Sequence, residues 1–196
     1  MKKISLLLFV FCIGFMSNLF AADEKKIKRI FEGKKDAKII IIAYESLTCG
    51  HCANFHKDVY PELKKNYIDT GLVKIEFRHF PLDLAAFNAS KIAQCRNDGN
   101  SNLLHILYAK QQKWTKGKNT DDLNKNLEKL IKDENMNLDF KNCIEDTALE
   151  NFILNDRIEG VNKFKVNATP TIIINNKKFD KPLIYKNLKK SIEKLI

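Results

Sequence analysis

Two cysteines stand one helical turn apart in the stretch Ser46-Leu47-Thr48-Cys49-Gly50-His51-Cys52-Ala53-Asn54-Phe55-His56. A C-x-x-C pair serves four chemistries: metal ligation, haem attachment, an inert crosslink, or thiol–disulfide exchange. Haem attachment needs a histidine directly after the second cysteine, and Ala53 is there. Zinc needs about four nitrogen or sulfur ligands. Cys49, Cys52 and His56 supply three on one helical face, but no second C-x-x-C or H-x-x-x-H completes the set, so no metal is expected. A disulfide closing so short a loop restrains the unfolded chain little, which leaves a purely structural role poorly motivated. Exchange fits each residue. Cys49 at a helix start meets free N–H groups and the positive end of the dipole, both of which favour a thiolate. Cys52, one turn on, reaches back to attack. His51 offers that thiolate a hydrogen bond or a positive charge, and Gly50 lets the turn close tightly. Cys49, Gly50, His51 and Cys52 are therefore the candidate catalytic residues.

The surrounding pattern places this stretch between a strand and a helix. "KIIIIAY", Lys38 to Tyr44, reads as a buried strand, parallel to its neighbour. After the cysteines, Phe55, Val59, Leu63 and Tyr67 recur every four residues, with a kink expected near Tyr60 because Pro61 interrupts the pattern. Thr70-Gly71 ends the helix, and Leu72 to Phe80 is a second strand, completing a βαβ unit. Helices are expected over Leu84–Arg96, Asn102–Trp114, Asp121–Glu134 and Phe140–Gly160. "TPTIIINNKKF" then reads as a hairpin turning at Asn175-Asn176. Pro182 starts a last amphipathic helix with Ile184, Leu188, Ile192 and Leu195 on one face.

With 196 residues, 44% of them hydrophobic, and 13 Phe, the chain can bury the core of one domain, or of one domain with an insertion. A basic start at Lys2 and Lys3, an apolar run from Ile4 to Phe20 and small residues at Ala21 and Ala22 read as a secretory signal peptide, residues 1–21. An uncleaved membrane anchor is the alternative, since the run is near the minimum spanning length of roughly 17 residues. Cys12 goes with this segment. The export it implies leaves four cysteines in a compartment where disulfides persist. The formal charge of +10 falls to +8 without Lys2 and Lys3. The lysines are scattered rather than massed, so a solvated surface is expected and nucleic acid is not.

The chain resembles the DsbA-like thiol:disulfide oxidoreductases of the bacterial envelope. The strand before "LTCGHC", "FRHFPLD" at the second strand, the long helical stretch and "NATPT" occur in that family's order, from about Lys38 onward. The resemblance implies an α/β thioredoxin fold with an inserted helical domain: residues 22–82 and 163–196 form the thioredoxin-like part and 83–162 the insertion. It implies Cys49 as nucleophile and Cys52 as resolving cysteine. Thr169 and Pro170 become a substrate-binding loop with a cis peptide, whose backbone pairs with an extended substrate. It implies reduced or unfolded protein substrates in the periplasm, a membrane redox partner for reoxidation, and no cofactor. Two departures bear on direction. Gly-His between the cysteines resembles eukaryotic disulfide isomerases, and Thr before the proline also occurs in envelope isomerases, so an isomerase or reductase kept reduced is the alternative to an oxidase. Only about Asp23 to Ala37 precedes the first strand, too little for a dimerisation domain, so a monomer is expected. Cys95 and Cys143, neither in a C-x-x-C, are expected to form a structural disulfide. His56, His79 and His105 have no evident partner and are expected at the surface or in packing.

Overall fold

The computed structural model describes residues 26–196. The expected leader, residues 1–21 with Cys12, lies outside the described residues. The first element is a strand that periodicity does not reveal, β1 (Ile30–Glu32), three residues long in a lysine-rich surround. It is followed by β2 (Ile39–Glu45). The expected helix is segmented: α1 (Gly50–Asn54), a π-helical turn Phe55–Val59, α2 (Tyr60–Leu63), and a second π-helical turn Lys64–Ile68. Pro61 sits in the first turn of α2 and carries no N–H for the preceding turn, so the wider π turn takes up the kink. Gly71, at φ +82°, closes the segment into β3 (Val73–His79).

Helices fill the interval between β3 and the next strand: α3 (Leu84–Gln94), α4 (Asn102–Ala109), α5 (Gln111–Trp114), α6 (Thr120–Asp133), α7 (Phe140–Glu145) and α8 (Thr147–Phe164). Two helices expected to be single are divided. Lys110 leaves helical geometry between α4 and α5. Asp146 turns extended between α7 and α8, where its carboxylate caps the N–H groups of Ala148 and Leu149. A side chain that serves as an N-cap ends one helix as it starts the next, and a 3.6-residue stripe does not register that. Cys95 and Cys143 form a disulfide, S–S 1.98 Å, tying the end of α3 to α7.

The chain returns to the sheet with β4 (Thr171–Ile174), turns at Asn175 and Asn176, both at positive φ, and runs back as β5 (Lys177–Lys178). The last helix, α9 (Tyr185–Glu193), begins three residues after Pro182. Its apolar face is narrower than expected: Leu188 and Ile192 are buried, while Ile184 and Leu195 are half exposed.

Among the described residues, five strands lie in the order β1-β3-β2-β4-β5. β2 is central, parallel to β3 and antiparallel to β4, with Ile41 opposite Ile75 on one side and Ile174 on the other. This explains the unbroken isoleucine run. Ile39, Ile41 and Ala43 point into the large core beneath α1 and α2, whereas Ile42 and Tyr44 point into a second core with Phe80, Phe164 and Ile173. α8 crosses the second face so closely that a Cβ on Gly160 would come within 2.9 Å of the Tyr44 ring. β2 thus ends, rigidly held on both faces, at Glu45, four residues before Cys49.

Candidate active site

Between β2 and α1 the chain turns over Ser46 to Thr48. The Cys49 N–H donates to the Ser46 carbonyl at 3.0 Å, and Cys49, in extended geometry, is the N-cap of α1. Cys49 is partly exposed; Cys52 is fully buried; both are free thiols. The peptide between Thr169 and Pro170 is cis, and the Cys49 thiol lies 3.3 Å from the Thr169 carbonyl. The structure therefore brings Cys49, Cys52, Thr169 and Pro170 to one place from two distant stretches of chain.

The two thiols sit in opposite electrostatic situations. A hydrogen bond from the Cys52 thiol favours the Cys49 thiolate; partial burial opposes it. Thr169 and the backbone N–H groups of Cys52 and His51 add further hydrogen bonds, and the Cys49 pKa falls to about 5. Burial pushes Cys52 far above the ordinary thiol range, reinforced by its hydrogen bond to Cys49 and the charge of Glu45. One sulfur is thus a ready, accessible nucleophile, and the other is a protonated reserve directly behind it.

His51 and Gly50 take less direct positions than the spacing implies. The His51 hydrogen bond to Cys49 comes from the backbone N–H, and its exposed side chain lines a groove of about 520 Å³ with Pro170, Leu183, Ile184 and Tyr185. Gly50 is not needed for a tight turn: it is the first residue of α1, and an added Cβ would meet nothing within 4 Å. Its bareness instead leaves the surface beside Cys49 open at one end of a second cleft, of about 950 Å³.

Several residues that hold the site gave no signal in the sequence. The Gln111 amide, from α5, donates to the carbonyls of Leu47 and Cys49 at 2.8 and 3.0 Å. The Thr48 hydroxyl donates to Asp83 at 2.6 Å, and Asp83 also caps α3 through the Ala86 N–H. The Leu82 N–H donates to the Ser46 hydroxyl. These bonds lock the cysteine turn to the helical stretch. The histidines are not idle surface residues. His56 is buried, its Nε2 within 3.0 and 2.9 Å of the two Glu45 carboxylate oxygens, and its Nδ1 is 3.1 Å from Nδ1 of His105. His79 is also buried, paired with Gln94, and burial holds its pKa down. Partners so far apart in sequence form only when strands and inserted helices meet. Among the described residues, no three or more His, Cys, Asp or Glu side chains are grouped to hold a metal ion, and no helix is long and apolar enough to cross a membrane.

Known proteins resemble this chain in sequence and fold. A family model described as thioredoxin matches residues 25–194. The crystal structure of Wolbachia pipientis alpha-DsbA1 superposes with a TM-score of 0.76 at 31% identity, covering 85% of this chain and 90% of that one. Disulfide bond formation protein D of Bacillus subtilis is 30% identical over 173 residues, 83% of this chain and 74% of that protein. A Rickettsia bellii relative, named as a protein-disulfide oxidoreductase, is 32% identical over 147 residues, 73% of this chain. The chain spans 55% of that relative's length.

Proposed function

Because the chain belongs to the thioredoxin family, with DsbA structures among its relatives, we propose that it is a thiol:disulfide oxidoreductase acting in the oxidising direction on exported proteins. The observation that carries this reading is the asymmetry of the pair: Cys49 is lowered to about 5 while buried Cys52 is raised. A stabilised Cys49 thiolate stabilises the reduced enzyme, and a disulfide whose reduced form is stable is a strong oxidant.

In this reading a substrate thiolate attacks Cys49 of the Cys49–Cys52 disulfide, and Cys52 leaves. A second substrate thiolate then attacks the substrate sulfur of the mixed disulfide and releases Cys49 as its thiolate. The Thr169 carbonyl and the cis-Pro170 loop offer backbone hydrogen bonds to an extended substrate beside Cys49. The groove formed by Pro170, Leu183, Ile184 and Tyr185 accepts apolar side chains on one side of it. The helices between β3 and β4 form the inserted part, with the division at 83–162, and Cys95–Cys143 braces it. Export by the leader, a periplasmic location, a monomeric state and a membrane partner for reoxidation complete the proposal.

The test is a redox equilibrium with glutathione together with oxidation of a reduced, unfolded protein. A potential at or above that of protein disulfide isomerase, about −180 mV, with stoichiometric oxidation of the substrate, is expected. A potential near that of thioredoxin, about −270 mV, would make this a reductase.

A further inference from the structure

The cysteine helix has two open sides. On one lies the groove of Pro170, Leu183, Ile184 and Tyr185; on the other lies the cleft of about 950 Å³ that begins at Gly50. Asn54 lines both, so the two recesses meet on α1, the helix that Cys49 caps. The exchange reading uses the first and leaves the second without a role. Its size lies at the upper end of the roughly 300–1,000 Å³ of ligand pockets.

The floor of the cleft is aromatic and fixed. His56 stacks on Tyr108, ring centroids 4.1 Å apart, and His105 lies over Tyr60 at 4.6 Å; all four residues line the cleft. Beneath them a hydrogen-bonded row runs from Glu45 through His56 and His105 to Glu32, whose Oε1 lies 2.6 Å from His105 Nε2. Rings held in this way offer a flat apolar surface that has little side-chain freedom left to lose on binding.

The walls carry an excess of positive charge. The lysines are scattered along the sequence, yet five converge here. Lys57, Lys64 and Lys65 line the cleft from the segment after α1, and Lys110 and Lys113 from the opposite wall of α4 and α5. Two of them are neutralised within the protein. Lys64 pairs with Asp69 at 2.7 Å and with Glu32 at 3.0 Å, and Lys110 pairs with Glu134. Lys57, Lys65 and Lys113 are exposed and have no carboxylate partner among the described residues. The acids nearest in sequence are engaged elsewhere: Asp58 lines the opposite groove, and Glu62 accepts from Asn66 at 3.1 Å. Lys57 and Lys65 lie about two turns apart, on the order of 10 Å along the axis, which about three extended residues span.

We propose that this cleft docks an acidic segment of the protein whose cysteine is being oxidised, its carboxylates on Lys57, Lys65 and Lys113 and an apolar side chain on the aromatic floor. This deepens the exchange reading above and rests on it, naming the substrate class as proteins with acidic residues close to a reactive cysteine. A chain laid beside Cys49 at the Thr169 carbonyl enters the cleft by running over Gly50, whose lack of a side chain leaves that path open. Lysines are mobile point charges, so they select for charge and not for one shaped group. That suits an enzyme with many substrates. A flat lipid surface would touch the rim but not the floor of such a recess. Docking adds no chemical step: it raises the local concentration of the substrate thiolate at Cys49.

Reduced peptides with one cysteine test this. They differ only in three residues beside it, all Glu, all Gln or all Lys, placed before the cysteine in one set and after it in another. Stopped-flow reaction with the oxidised protein gives second-order rate constants, normalised to peptide thiolate. In one placement the Glu peptide should react roughly 10-fold faster than the Gln peptide, and the Lys peptide more slowly than either. The ratio should shrink as ionic strength rises from about 0.01 M to about 0.15 M, because the Debye length falls from about 30 to about 8 Å. The triple variant Lys57→Gln/Lys65→Gln/Lys113→Gln should bring the Glu-to-Gln ratio close to one. Lys125→Gln/Lys129→Gln/Lys190→Gln, which removes the same charge from exposed lysines outside both recesses, should keep it. Equal rates for the Glu and Gln peptides in wild type, or an equal loss of the ratio in both triple variants, overturns the proposal. Binding to phosphatidylglycerol vesicles that only the cleft variant loses, with no peptide preference, places the lysines at a lipid surface and overturns it too. Absence of any reaction between wild type and all of the peptides would instead overturn the exchange reading itself.

Discussion

Gln111 donates its side-chain amide to the backbone carbonyl of Cys49 at 3.0 Å and, with its other bond, to that of Leu47 at 2.8 Å. One buried side chain from α5 thus satisfies two carbonyls of the turn that presents the cysteines. Replacing it with leucine keeps similar bulk, takes the amide partner from the buried Leu47 carbonyl, and leaves the Cys49 carbonyl with the Ala53 N–H alone. Gln111→Leu should cost about 1–3 kcal/mol, read as a lower denaturation midpoint with an unchanged slope. An unchanged midpoint would show that water replaces the amide, and that the helical stretch is not what holds the turn.

The roles of the two sulfurs follow from exposure. Cys49 is reachable from solvent, and Cys52 is 0% exposed behind it. Cys49→Ser should abolish exchange. Cys52→Ala should leave a nucleophile that bonds to substrates but cannot be displaced from within, so mixed disulfides accumulate on non-reducing gels. Trapping by the Cys49 variant, and none by the Cys52 variant, would reverse the assignment.

The Cys95–Cys143 bond joins positions 48 residues apart. Closing a loop of that size contributes about 4 kcal/mol through the unfolded chain's lost entropy. The double serine variant should therefore melt at a markedly lower temperature while keeping its exchange activity, because the bond ties α3 to α7 and not the cysteine turn. Equal melting temperatures would mean that the packing of α3 on α7 already restricts the chain as much as the crosslink does.

How much of this was legible in the sequence depended on the range of the interaction. The β2 and β3 runs, the turn at Asn175-Asn176 and the Cys49–Cys52 pair are local, and residue type with spacing reports them. β1 is three residues of ordinary composition, and it exists because Ile30 and Glu32 pair with Phe77 and Ile75 of a strand about 45 residues later. The row from Glu45 to Glu32 was invisible for the same reason. His56 and His105 are 49 residues apart, and His105 and Glu32 are 73 apart. Only a folded sheet with a helix laid beside it makes partners of them. The tight-turn role expected of Gly50 fails differently: the residue type suggests a backbone need, whereas Gly50 is the first residue of α1, where an added Cβ meets nothing within 4 Å.

The lowered Cys49 pKa has an ordered list of causes, and these predict the order of two substitutions. The leading contribution is the Cys52 thiol as donor, whereas His51 acts through its backbone N–H. Cys52→Ala removes the first. His51→Ala keeps the N–H and removes only what the exposed imidazole supplies by its charge. Both should raise the Cys49 pKa above about 5, and Cys52→Ala should raise it more. The readout is thiolate absorbance and iodoacetamide reactivity of the reduced protein against pH. In wild type both should fall as pH drops through about 5. The sign of the linked stability follows. A thiol whose folded value is depressed stabilises the reduced fold fully above its unfolded pKa of about 8.5. That stabilisation declines as pH falls and is gone below about 5. The reduced protein should therefore melt above the oxidised one at pH 7, and the gap should close progressively as the solution is taken to pH 5. A gap that is constant over that range would place the Cys49 pKa elsewhere, and a larger effect of His51→Ala than of Cys52→Ala would put the charge of the imidazole ahead of the hydrogen bond between the two thiols.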